Sequence, residues 1–157
     1  MTDEVRWLTS NEREAWLAVA AMMMSLPKAL DAQLQSDAGL SFFDYMVLAV
    51  LAEHADRTMQ MSDIAAFSSG SLSRLSHAAA RLEQQGLLTR APVPGPGRRT
   101  NATLTEAGYQ KVVAAAPGHV MHVRRLLIDD AGPDDLAALA RIGHLLATKL
   151  NPGRRPS

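Results

Sequence analysis

Apolar residues recur at helical spacing from Asn11 to about Gln35, among them Trp16, Val19, Met23, Leu26, Leu30 and Leu34, and predict a long first helix. Ser10 stands where a cap belongs. Pro27 lies inside the pattern, where it is expected to kink or divide the helix. After DAGLS breaks the period, Ser41 starts SFFDYMVLAVLAEH, apolar on most sides and so expected to be deeply buried. ADRTMQ reads as a turn. MSDIAAFS reads as a short helix capped by Ser62, with Ile64, Ala65 and Phe67 turned inward.

The next segment, SLSRLSHAAARLEQQG, places Leu72, Leu75, Ala79 and Leu82 on one stripe of a helix of roughly 15 residues, about 22 Å long. Gly86 is positioned as its C-terminal stop. LLTR and TNATLT then bracket RAPVPGPGRRTN as two short extended runs, the second rich in β-branched threonine. Thr105 caps a further helix with Glu106 in its first turn, and Pro117-Gly118 is expected to bend or interrupt it. A last helix runs from Pro133 to about Leu150, and the tail 151–157 is expected to be disordered.

Short helix, tight turn, longer helix, strand, Pro/Gly loop, strand is the order of a winged helix. The stiff loop is then the wing, and Arg98 and Arg99 follow its tip. An arginine on a projecting hairpin can enter a DNA minor groove, and the prolines limit the conformations lost on binding. On the helix before it, Ser73, Arg74, His77 and Arg81 occupy the side away from the leucine stripe, suited to a major groove. The hydroxyls of Ser69, Ser71, Ser73 and Ser76 can donate to phosphates or bases.

Composition supports a helical protein of one domain. The 157 residues are 47% hydrophobic but only 4% aromatic, which points to an Ala/Leu/Met-packed core helped by oligomerisation. Cysteine is absent, which removes disulfides and thiolate metal sites. MTDEVRWLTSNERE is polar and acidic, unlike a secretory leader, and no run of about 18 apolar residues exists, so a cytoplasmic location is expected. The zero net charge conceals an imbalance: residues 1–65 carry 4 basic and 10 acidic side chains, and residues 66–157 carry 12 and 6. Attraction to an anionic polymer depends on the local field, so neutrality does not argue against DNA.

LSRLSHAAARLEQQGLLTR followed by GRRTNATLTEAG resembles the recognition helix, wing and following helix of the MarR family of bacterial transcription regulators, and the helix order matches over roughly residues 11–150. The resemblance implies a mainly α fold with a winged helix-turn-helix over 41–104 and a helical dimerisation region from 11–35 and 105–150. It implies a homodimer on double-stranded DNA with a palindromic operator, a repressor released by a small aromatic or apolar ligand. The DNA-binding residues expected on it are Ser71, Ser73, Arg74, His77, Arg81, Arg98 and Arg99. Trp16, Met23, Phe42, Tyr45 and Met46 are the residues it suggests for the ligand pocket. One position departs from the pattern: the family's wing aspartate is replaced by Pro96.

Other chemistry finds little support. His119 and His122 have a spacing that can hold zinc, but two ligands are too few, and they read as structural or interface histidines. GPGRR lacks the spacing and lysine of a phosphate loop, and no nucleophile elbow is present, so no enzyme and no cofactor are expected. The alternative to a DNA reader is a winged helix that serves only as a protein-protein interaction module.

Overall fold

Thr9, not Ser10, opens the first helix. In the computed structural model, which describes residues 5–68 and 71–150, the Thr9 hydroxyl accepts from the Glu12 amide while Glu12 Oε2 accepts from Thr9 N at 2.8 Å. This reciprocal capping box sets the start of α1 (Ser10–Ala38), because Glu12 falls three residues after Thr9. The Thr9 amide bond comes first among the causes that hold the Glu12 carboxyl below its usual range. Pro27 does not divide α1, which continues to Ala38 and stops at Gly39 in the left-handed region (φ 64°). Both Pro27 and Met23 are exposed, so the carbonyl that a proline leaves unpaired four residues back can face water.

Helix α2 (Phe42–Ala52) follows, capped by Ser41 and buried along most of its length. The segment expected to be only a turn contains a strand, β1 (Thr58–Gln60). Arg57, left-handed at φ 54°, turns the chain into it; its guanidinium lies 3.8 Å over the Tyr109 ring and bonds Glu106 at 2.8 Å. The strand passes directly into α3 (Met61–Phe67), so the cap position falls to Gln60 without a side-chain bond, and Ser62 lies inside the helix.

Helix α4 (Leu72–Gln84) leads through Gly86 (φ 72°) into β2 (Leu88–Pro92) and β3 (Thr100–Leu104). The antiparallel sheet has the order β1-β3-β2, with Thr58 opposite Thr103 and Arg90 opposite Ala102. Helix α5 (Glu106–Val123) is capped by Thr105, whose hydroxyl accepts from Gly108 N and donates to Gly86 O at 2.7 Å. Gly108 packs so closely that a β-carbon would overlap the Leu87 carbonyl and lie 2.6 Å from Leu104 Cδ1. Pro117 is absorbed within α5; the irregularity comes later, as a π-helical turn at Arg124–Ile128 before α6 (Pro133–Leu150). The tail 151–157 lies outside the described residues.

The core joins Leu34, Leu48, Leu51, Ile64, Leu75 and Leu82 with the sheet residues Leu88 and Ala102 and with Val112 of α5. The terminal elements differ: α6 has no buried residue, and Trp16, Leu17, Leu145 and Leu146 are exposed. Among the described residues, no helix is long and apolar enough to cross a membrane.

Candidate nucleic-acid interface

Ser71 caps α4, accepting from Arg74 N at 3.1 Å, and so sets where the exposed face begins. Leu75, Ala78, Ala79 and Leu82 turn inward, fixing the helix against the core. Ser73 and His77 then fall on the far side, roughly 160° around the axis from Leu75 by the 100° step of a helix, and both are exposed. Leu72, expected in the buried stripe, is 56% exposed, because it stands at the stripe's edge in the groove beside the wing. Ser76 is exposed as well, and Ser69 lies outside the described residues.

The wing is built from local geometry. Val93 N donates to Arg99 O at 2.8 Å and closes the loop beyond the paired strands. Gly95 and Gly97 have φ of 115° and 89°, and each follows a proline whose own ring restricts φ. The position of Pro96 carries no carboxylate, but Glu83 clamps the wing's base. Its carboxylate accepts from the Arg90 amide at 2.9 Å and from Arg90 Nε and a terminal guanidinium nitrogen at 3.2 and 2.9 Å. Those Arg90 bonds, side chain first, hold the Glu83 carboxyl below its usual range. Arg98 and Arg99 remain exposed and, with Ser62, Leu72 and Ser76, line a groove of about 210 Å³ between the wing and helices α3 and α4.

Two contacts connect α4 to α2. Arg81 donates to Asp44 Oδ1 at 2.9 Å, and the Arg74 guanidinium lies 4.3 Å over the Phe43 ring. Asp44 is buried whereas Arg81 is half-exposed, so the pair satisfies an acid that would otherwise be stranded. Asp44 was not among the expected functional residues. Its signal was available: it is the one charged residue in FFDYMVLAVLA. Glu83, two residues after Arg81, is taken by Arg90.

Beside these contacts lies a cavity of about 420 Å³ whose lining includes Phe42, Phe43, Met46, Phe67 and Arg74. Of the pocket residues suggested by sequence, Phe42 and Met46 meet there. Trp16 and Met23 are exposed on α1, and Tyr45 packs against His119 with ring centroids 4.7 Å apart. His119 also meets Gln33 Oε1 at 3.3 Å; burial, and then the neighbouring His122, push its pKa down. Burial, and then Glu53, push the Tyr45 phenol up. Among the described residues, no group of three or more His, Cys, Asp or Glu side chains is placed to hold a metal ion.

Sco3205 from Streptomyces coelicolor, a MarR family transcriptional regulator solved in complex with DNA, is 38% identical to this chain, with a TM-score of 0.89 over 97% of this chain and 95% of its own. The chain belongs to the MarR family. A family model described as MarR family matches residues 38–99, from the end of α1 through the wing. AbsC, a MarR family transcriptional regulator from the same organism, is 37% identical, with a TM-score of 0.83 over 93% of this chain and 98% of its own. CouR from Rhodococcus jostii RHA1, bound to p-coumaroyl-CoA, shares the MarR fold at 20% identity, with a TM-score of 0.69 over 96% of this chain and all of its own. Among curated proteins none matches. The MarR relatives with assigned roles are transcriptional regulators.

Proposed function

We propose that this MarR protein is a dimeric repressor that holds a palindromic operator and releases it when a small aromatic or apolar ligand binds. The observation that carries the reading is the groove in which Arg98 and Arg99 of the wing face the first turns of α4. A duplex seated there would meet Ser71, Ser73, Arg74 and His77 in its major groove and the wing arginines in the adjacent minor groove. Arg81, tied to Asp44, contributes to a phosphate contact only with the donors that the carboxylate leaves free, and mainly positions α4.

The exposed apolar residues of α1, α5 and α6 supply the surface on which a second copy would pair. Two-fold pairing would set two reading heads about 34 Å apart, one helical turn of DNA. The cavity beside Phe42, Phe43 and Arg74 is of a size that suits a small aromatic compound, and CouR shows that this fold can hold an aromatic acyl ligand. A ligand there would lie against Arg74 and α2, and would shift the population toward a head spacing that no longer fits the operator.

Selection of bound sequences from randomised DNA tests the reading. A palindromic motif bound far more tightly than random DNA at moderate salt supports it, and equal binding of the two rejects operator recognition. Charge reversal of Arg98 and Arg74 separates it from a protein-only module: a DNA reader loses binding and flattens its salt dependence. A thermal-shift screen with aromatic acids tests the ligand, which must raise the melting temperature and weaken operator binding together.

A further inference from the structure

Leu72 is an apolar side chain in a polar place. Among described residues 25–112, it is the only large hydrophobic side chain left exposed, whereas the others lie before or on the first part of α1, on α5 from Val113 onward, in the π-helical turn or on α6. It occupies the first position of α4, immediately after the Ser71 cap. Around the helix axis it sits roughly 60° from Leu75, on the edge of the buried stripe. That edge faces the wing: Leu72 and Ser76 line the same groove as Arg98 and Arg99.

We propose that Leu72 is a specificity-determining residue that packs on the C5 methyl group of a thymine in the operator. The inference rests on the operator reading above. The N-terminal residues of a recognition helix face base edges, and the thymine methyl is the apolar feature of the major groove. The neighbouring serines and arginines offer hydrogen bonds and charge, which thymine O4 and the phosphates accept whether or not the C5 methyl is present. A leucine in their midst rewards the methyl alone. Exposed in the free protein, it sheds water when the methyl arrives, and its preference is independent of salt.

The test uses the full-length protein, its Leu72→Ala variant and the selected operator, with each thymine of one half-site replaced in turn by deoxyuridine. That replacement deletes the methyl and keeps every hydrogen-bonding group. Alanine is the best helix former and Leu72 is exposed, so the variant keeps the fold. At one thymine, deoxyuridine should weaken wild-type binding about fourfold, the worth of one buried methyl group. L72A should bind the thymine operator at least that much more weakly, and should be indifferent to the replacement. If every replacement affects the two proteins equally, operator recognition stands and the role of Leu72 falls. If the wild type selects no sequence at all, both fall.

Discussion

The winged-helix centre and the terminal helices use apolar residues in opposite ways. Between Leu30 and Ala115 the chain buries its core residues completely enough that Leu34, Leu48, Leu51, Ile64, Leu75 and Leu82 retain essentially no exposed surface. In α6 no residue is buried, although Ile142, Leu145, Leu146 and Leu150 repeat along it. The first half of α1 is similar, with Trp16, Leu17 and Met22 to Met24 exposed. A centre that completes its own core is thus joined to helices whose apolar residues a single chain leaves uncovered. Stability of the first should be a property of one chain, and stability of the second a property of concentration.

The largest expected effect follows from breaking the second region. Leu145→Asp with Leu146→Asp should give a monomer in light scattering and lower operator affinity by roughly 10²–10⁴, the gain that linked sites provide. Far-ultraviolet circular dichroism should still show the folded centre. Breaking the first region gives the converse. Gly108→Ala forces a β-carbon into the Leu87 carbonyl, and should cost about 1–3 kcal/mol in denaturant unfolding. That loss should remain when the protein is diluted.

Smaller effects sharpen the contrast at the surface. Arg98→Gln with Arg99→Gln should leave the melting temperature unchanged, since both are exposed, while the slope of log affinity against log salt falls by about 1.8 for the two phosphate charges that the arginines neutralise from the minor groove. The smallest effect is at His119, between α1, α2 and α5. Burial and His122 lower its folded pKa, so the unfolded chain binds the proton more readily. Its contribution is therefore complete above the unperturbed value of about 6.5 and declines as pH falls through it. The melting temperature should drop between pH 7.5 and 5.5, and His119→Gln should narrow that drop.

What sequence revealed was mostly local in origin. The helix start at Ser41, the Thr105 cap, the Gly86 stop and the wing between two threonine-containing runs each depend on residues a few positions apart, and the structure contains all of them. Strand β1 escaped because three residues have no period to read; they are extended through pairing with β3, Thr58 meeting Thr103. Leu72 was misplaced because a stripe drawn at helical spacing carries no information about where the neighbouring elements end. Trp16 and Met23 were grouped with Phe42 and Met46 on family likeness, which does not specify which part of a 29-residue helix meets α2. The Arg81–Asp44 pair spans 37 positions, a distance over which only the folded chain pairs residues.

Three hydrogen bonds donated by Arg90 to the Glu83 carboxylate tie the hairpin's root to the rod beside it, so the jaw between them has a preset gape before any duplex arrives. On the proposed dimer, a ligand that loosens the hold on DNA would then act by swinging whole jaws relative to each other, leaving each bite intact.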